Sequence, residues 1–383
     1  MLRFLTAGES HGQALTAIIE GFPAGVPIAQ GFINNELRKR QGGYGRGKRM
    51  EIEQDQVEIL SGVRNGQTLG SPITLQVKNK DWQNWQDIMG VEEGANIGEL
   101  RVTKPRPGHA DLAGTLKYGY TDIRNTLERA SARETAVRVA VGAVAQAFLN
   151  VFKINILGHV IRIGDVEAQA DYNRLTEELY ETQLYCTDEK VLGKMIEAID
   201  EAKIKGDSLG GIIEVAAFNV PLGLGSHVHW DRRLDGRLAQ ALMSIPAIKG
   251  VEIGLGFNSA KIPGSQVHDE IAYNSARSFY HLSNNSGGIE GGISNGETII
   301  LRAAMKPIPT LYQPLKSVDI FSKENYLASI ERSDNCAVPA AAIVAVGMTA
   351  FEIARSFLEK FSGDNLREIK NSYDNYYNYL RQV

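Results

Sequence analysis

Glycine divides this chain into many short runs, most of which are strand-like or helix-like. Thirty-nine of its 383 residues are glycine, and most glycine clusters fall between such runs. This pattern is typical of an α+β or α/β protein and predicts sheets covered by helices. After an opening strand, strand-like segments recur at 14–22, 57–63, 73–77, 154–163, 211–218, 251–257 and 297–303.

Apolar spacing predicts two long helices. The first covers 124–152, where Arg129 and Arg133 would lie four residues apart on one face. The second is the apolar run 337–351, which is shorter than the roughly 20 residues that span a bilayer and is therefore predicted to be a buried helix. Further helical stretches lie within 175–205 and 232–243.

No linker divides the chain, so residues 1–383 are predicted to form one domain. Its tail, about 362–383, is predicted to be either a helix at an oligomer contact or a mobile end. The net charge of -4 does not support a general affinity for nucleic acid or an acidic membrane. Two distant cysteines without metal-site spacing, and an opening without a long apolar core, predict a metal-free protein of the cytoplasm.

The segment Arg38 to Arg49 concentrates positive charge. It holds six basic residues, no acidic one, and four glycines around Tyr44. Glycines let backbone amides approach a ligand, and guanidinium groups match phosphate oxygens. A mobile cationic flap is expected, and the segment alone leaves open whether it binds a small phosphorylated anion or RNA.

Two other segments present a histidine. In 103–111, two prolines stiffen a cationic loop that presents His109 as a proton donor, although His109 could instead be a helix-end residue bonded to Asp111. In 8–12, Ser10 and His11 are adjacent, so their side chains diverge and a serine hydrolase is not favoured. The imidazole of His11 could reach a ligand, or the segment could be a polar turn.

Three further segments carry charge or rigidity. Arg129 and Arg133 would need an anion between them or would form a solvated face. The segment 306–310 has two prolines and suits a planar cofactor edge or a phosphate, or is a plain connection. The segment 331–334 places a cation and a carboxylate just before the second long helix, where they could form a simple cap.

These segments occur together and in order in one family, and the chain resembles the chorismate synthases along nearly its whole length. The motifs that carry the resemblance are GESHG (8–12), RQGGYGRGKR (40–49), RPGHAD (106–111), RASARET (129–135), KPIPT (306–310) and RSD (332–334). The resemblance implies an anti 1,4-elimination of phosphate from 5-enolpyruvylshikimate 3-phosphate to give chorismate. It also implies reduced FMN as cofactor, a β-α-β sandwich of two similar halves, and a homotetramer.

The resemblance also implies roles for single residues. His11 would act at the departing phosphate, His109 would supply a proton at the flavin, and Asp334 would pair with flavin N5. The substrate-binding residues would be Ser10, Arg40, Arg46, Arg49, Arg106, Ser131, Arg133 and Arg332. The cofactor-binding residues would be Arg129, Ala130, Ser131, Pro246, Ala247, Gly291, Lys306, Pro307, Ile308, Pro309, Thr310 and Arg332.

Position 246 departs from the family pattern, which has Asn before Ala. Because Pro246 has no N–H group, it could contact a flavin only through its carbonyl or by packing. Two alternatives stay open. One is a flavin reductase that uses NAD(P)H, with NADPH also conceivable as the source of reduced FMN, although no GxGxxG follows a predicted strand. The other is a non-enzymatic RNA-binding protein whose arm is 38–49.

Overall fold

The structure is a computed structural model that describes residues 1–47, 54–93, 101–275, 278–328 and 333–383. Its strands are β1 Arg3–Ala7, β2 Ala14–Glu20, β3 Val57–Ser61, β4 Val63–Arg64, β5 Gln67–Thr68, β6 Ile73–Lys78, β7 Asn155–Ile163, β8 Val166–Glu167, β9 Gly211–Phe218, β10 Ile248–Ile253, β11 Ile271–Asn274, β12 Ser278–His281, β13 Ile289–Glu290, β14 Ile293–Ser294, β15 Ile299–Met305, β16 Lys316–Val318 and β17 Asn325–Leu327. Its α-helices are α1 Gln30–Gln41, α2 Gln86–Met89, α3 Asp111–Tyr118, α4 Arg124–Arg129, α5 Thr135–Asn150, α6 Leu192–Ile204, α7 Leu234–Met243, α8 Gly264–Val267, α9 Val338–Lys360 and α10 Leu366–Leu380.

Two antiparallel sheets form the outer layers. The first has the order β1-β2-β6-β3, and the second has the order β10-β15-β9-β7-β8. In β2 and β6 every second side chain is buried, including Leu15, Ile19, Leu75 and Val77. This period of two gives the first sheet one apolar face, which packs on the helices.

The helices α1, α5 and α9 lie between the two sheets. Helices α1 and α5 pack on the first sheet, and α9 packs on β7 and β9 of the second. A Cβ atom added at Gly142 of α5 would lie 2.2 Å from Cα of Gly347 in α9, so glycine is required where these helices cross. Residues 1–153 supply the first sheet with α1 and α5, and residues 154–383 supply the second sheet with α9. The predicted β-α-β sandwich is confirmed.

The apolar run predicted at 337–351 is a helix, and it extends further than predicted. Helix α9 continues to Lys360 because Ile353, Ala354 and Phe357 keep its buried stripe apolar. It is the one helix in the described parts of the chain that is long and apolar enough to cross a membrane by length and composition, and 89% of its apolar window is buried inside the protein. Its surroundings are those of a core helix.

The helix predicted over 124–152 is interrupted, so this prediction was wrong in one detail. Between α4 and α5 the backbone is extended at Ser131, whose hydroxyl accepts a hydrogen bond from the backbone N–H of Arg133. A serine in this position caps the next helical turn rather than continuing the previous one. Arg129 and Arg133 therefore do not share a helix face.

Candidate active site

A cavity of about 1060 Å³ opens where the loops of the first half meet the start of α9. It collects most of the residues that the motifs single out. The predicted residues that line it are Ser10, His11, Arg40, Arg46, Arg106, His109, Ala130, Ser131, Arg133, Pro246, Ala247, Lys306, Ile308, Pro309, Thr310 and Asp334. Segments far apart in sequence thus share one site.

Three predicted cofactor residues do not line this cavity. Pro307 is exposed between lining neighbours. Gly291 lies in the turn between β13 and β14. Arg129 donates hydrogen bonds to the carbonyl oxygens of Thr6 and Gly8, so it fixes the approach to the loop 8–12. The predicted substrate residues Arg49 and Arg332 lie outside the described residues.

A buried carboxylate joins two of the cavity arginines. Asp55 Oδ2 accepts a hydrogen bond from Arg40 at 2.8 Å, and Asp55 Oδ1 accepts one from Arg133 at 2.5 Å. Burial lowers the pKa of Arg40, while the attraction of Asp55 opposes this effect. One carboxylate shared by two guanidinium groups leaves this part of the cavity with positive charge, which suits an anionic ligand.

A second buried carboxylate orients Arg106 and His109. Asp111, the first residue of α3, accepts hydrogen bonds from Arg106 Nε at 2.9 Å and from His109 Nδ1 at 2.5 Å. Burial favours the neutral acid, but the hydrogen bonds from His109 and Arg106 hold the pKa of Asp111 well below its usual range. The bond from His109 to Asp111 thus exists, and His109 lines the cavity at the same time.

The loop 8–12 brings Ser10 and His11 to the cavity wall. The Ser131 hydroxyl donates to Ser10 Oγ at 3.1 Å. His11 Nδ1 lies 2.9 Å from Oε2 of Glu128, a residue of α4 with a fully buried side chain. Two histidines therefore reach one cavity, each bonded through Nδ1 to a buried carboxylate.

The cationic segment 38–49 is not one loop. Residues 38–41 form the last turn of α1, because the first glycine comes only at position 42. Gly45 O then accepts hydrogen bonds from the backbone N–H groups of Asn335 and Cys336. Lys48 and Arg49 lie outside the described residues, so the mobility of the flap stays a prediction.

One side of the cavity is apolar and bounded by a lysine. Ala337, Ala340, Ala341 and Val344, at the start of α9, all line it. Lys306 Nζ donates to the Gly108 carbonyl at 2.5 Å. Burial, with a smaller contribution from Lys249, lowers the pKa of Lys306. Apolar lining residues and a cation in the same cavity suit an aromatic ring that carries an anionic tail.

Several residues of the site carried no signal in the sequence. Asp55 and Glu128 are single acidic residues outside every motif. Asp200 and Lys203, which also lie outside every motif, enter the cavity from α6, and Asp200 Oδ1 accepts a hydrogen bond from Tyr44 at 2.8 Å. Only the spatial proximity of distant segments shows that these residues belong to the site.

The fold and the cavity together are those of an enzyme that acts on a small molecule, and the cationic lining suits an anionic one. A family model for chorismate synthase matches residues 2–358. Curated chorismate synthases from Desulforamulus reducens and Moorella thermoacetica are each 59% identical, and the alignments cover 100% of this chain and 100% of each relative. A solved structure named "Crystal Structure of Chorismate Synthase" has a TM-score of 0.81 and 46% identity, covering 100% of this chain and 99% of that one.

The chain belongs to the chorismate synthase family. It is therefore an enzyme, a phosphate-eliminating lyase at a step of the shikimate pathway towards the aromatic amino acids. The resemblance seen in the six motifs is confirmed, and the non-enzymatic RNA-binding alternative is wrong.

Proposed function

We propose that this cavity converts 5-enolpyruvylshikimate 3-phosphate to chorismate with reduced FMN bound beside the substrate. The charge of the wall carries the proposal. Among the described residues, six cations line the cavity, against the two carboxylates of Asp200 and Asp334. The cations are Arg40, Arg46, Arg106, Arg133, Lys203 and Lys306. A substrate with one phosphate and two carboxylates matches this excess of positive charge.

The cavity also fits a flavin. Its volume of about 1060 Å³ slightly exceeds the roughly 300–1000 Å³ usual for ligand sites, which leaves room for a cofactor and a substrate together. The apolar surface at the start of α9 suits a planar ring. Arg40 Nε is buried and makes no hydrogen bond within the described part of the chain, so it is available to a ligand.

The residues that would hold FMN come from three segments that line the cavity. They are Ala130 and Ser131, Pro246 and Ala247, and Lys306 with Ile308, Pro309 and Thr310. Ala247 has φ 69°, an uncommon conformation for a residue with a side chain, and its carbonyl accepts a hydrogen bond from Lys306 N. When bound, reduced flavin supplies electron density as phosphate departs, without net oxidation.

The chain itself contributes binding and proton transfer. Arg40 and Arg133, held together by Asp55, bind one anionic group, and Arg106 binds another. His11 gives a proton to the departing phosphate. The hydroxyl groups of Ser10 and Ser131, which are hydrogen-bonded to each other, orient this phosphate. His109 would supply a proton at the flavin, and Asp334 would pair with flavin N5. The two histidines therefore have different roles.

The proposal also includes a subunit contact at the β11–β12 hairpin. Tyr273 and Phe279 face each other across the β11–β12 hairpin with ring centroids 5.1 Å apart, and both are largely exposed. Exposed paired aromatics favour a subunit contact, as in the family's homotetramer. We propose that Gly291, which does not line the cavity of its own chain, reaches FMN only across such a contact. The proposal places this single catalytic domain in the cytoplasm.

FMN binding tests the cofactor assignment directly. Titration with FMN in the presence of substrate should show about tenfold weaker binding for Lys306→Ala than for the wild type. Lys205→Ala removes an exposed lysine paired with Glu201 and should leave the affinity unchanged. Equal affinities for both variants would remove Lys306 from the cofactor site.

NADPH as reductant is a separate proposal, and a lack of NADPH oxidation with FMN would contradict it.

A further inference from the structure

The imidazole of His11 belongs to a closed ring of contacts with three other residues, Glu128, Trp85 and Arg124. Glu128 holds one edge: its Oε2 accepts hydrogen bonds from the backbone N–H and from Nδ1 of His11, both at 2.9 Å. The carbonyl oxygen of Glu128 also accepts a hydrogen bond from Ser10 N at 3.1 Å. A single residue of α4 thus fixes both the backbone and the side chain of this loop.

The face of the imidazole is held by an aromatic ring. Trp85 stacks on His11 with ring centroids 4.0 Å apart and an interplanar angle of 24°. The guanidinium of Arg124 lies 5.1 Å from the Trp85 ring centroid, and its Nη1 donates to Glu128 Oε1 at 3.2 Å. The ring of contacts therefore runs from His11 to Trp85, Arg124, Glu128 and back.

The charge of Glu128 sets which nitrogen of His11 carries a proton. Burial opposes ionisation of this carboxyl, but its hydrogen bonds with His11 and the nearby Arg124 keep its pKa below the ordinary value. An ionised carboxylate only accepts hydrogen bonds, so His11 Nδ1 must be the donor. The other nitrogen, Nε2, is then the one that can meet a ligand in the cavity.

Other charges face the same imidazole. Arg124 pairs with Glu128 and partly offsets its charge, and Glu9 belongs to the same loop as His11. Arg40 and Arg133 line the same cavity as His11 and add positive charge there. Trp85 brings no charge. Glu128 is therefore the charged group in direct contact with the imidazole of His11.

We propose that Glu128 is a positioning residue for His11, which it holds with Nδ1 protonated and Nε2 turned to the cavity, while Trp85 fixes the plane of the ring. This inference rests on the proposed role of His11 as proton donor to the departing phosphate. Glu128 does not touch the substrate and acts only through His11.

Trp85 offers a readout that is independent of turnover, because a protonated imidazole quenches a stacked indole more than a neutral one does. A fluorescence titration of the wild type should show a quenching step on acidification that Trp85→Phe abolishes. In Glu128→Gln the step should move to lower pH, because a neutral amide replaces the carboxylate that contacts His11 Nδ1. Activity at neutral pH should fall about tenfold in kcat with little change in KM.

The control is Glu36→Gln, which alters another buried carboxylate, paired with Lys39 away from the cavity. It should leave the quenching step in place. If Glu128→Gln does not fold, the nitrogen-15 shifts of histidine-labelled wild-type protein decide the question: protonation of neutral His11 at Nδ1 supports the proposal, and protonation at Nε2 overturns it. An unmoved step in folded Glu128→Gln also overturns it. Absence of chorismate from the wild type would instead refute the proposed function, since the titration needs no substrate.

Discussion

Arg46 Nη1 lies 2.7 Å from Asp334 Oδ2, and the backbone N–H of Gly47 donates to Asp334 Oδ1 at 2.6 Å. This ion pair joins the cationic segment near the start of the chain to the segment before α9. The family resemblance implies a role for Arg46 in substrate binding and a separate role for Asp334 at the flavin. Their contact makes them interdependent.

A double-mutant cycle should reveal this interdependence. Arg46→Ala should raise KM, and Asp334→Asn should lower kcat. In the double variant the loss in kcat/KM should be smaller than the product of the single losses, with a coupling of about 1 kcal/mol or more. The exposed pair Arg38 and Glu181 is the control and should show almost no coupling. Multiplicative losses for Arg46 and Asp334 would show that the contact has no energetic role.

Asp55→Asn should destabilise the fold, because it leaves two buried guanidinium groups without their shared counter-charge. The expected loss is about 3–5 kcal/mol in urea unfolding. Inorganic phosphate should restore part of the loss, since an anion can replace the carboxylate. Glu58→Gln, which alters an exposed pair with Lys78, is the control and should be nearly neutral. A loss no larger than the control's would contradict the role of Asp55.

Gly45→Ala should disturb the hydrogen bonds that connect Gly45 O to the backbone N–H groups of Asn335 and Cys336, just before α9. Gly45 has φ 86°, and a Cβ there would lie 3.0 Å from Cys336 Cβ and 3.2 Å from its backbone N. We expect a loss of about 1–3 kcal/mol in stability and weaker substrate binding. Gly31→Ala in α1, where a Cβ would meet nothing within 4 Å, should be neutral or stabilising. Similar effects of the two changes in thermal unfolding would refute this explanation.

Asp111 makes stability depend on pH in a defined direction. Its folded-state pKa is depressed, so its contribution is fully present above the ordinary value of about 3.9 and is lost as the pH falls below it. Urea unfolding should therefore show the largest gap between wild type and Asp111→Asn at neutral pH. The gap should shrink as the pH falls below about 4. A gap that grows on acidification would have the wrong sign.

Elements with a clear period of apolar residues were predicted well from the sequence. Helix ends that depend on a single side chain were predicted poorly. The alternation in 73–77 gave β6, and the apolar run before Phe351 gave most of α9. The break at Ser131 was missed, because a serine reads as a tolerable helix residue unless its cap is seen. The motifs found most of the predicted residues that line the cavity. They could not find Asp55, which binds Arg40 and Arg133, or Glu128, which binds His11.

The most direct test of the account is an anaerobic assay of the purified protein with photoreduced FMN and 5-enolpyruvylshikimate 3-phosphate. Chorismate and inorganic phosphate should appear together in equal amounts, and oxidised FMN should not support the reaction. Phosphate release without chorismate, no product at all, or equal rates with oxidised FMN would contradict it.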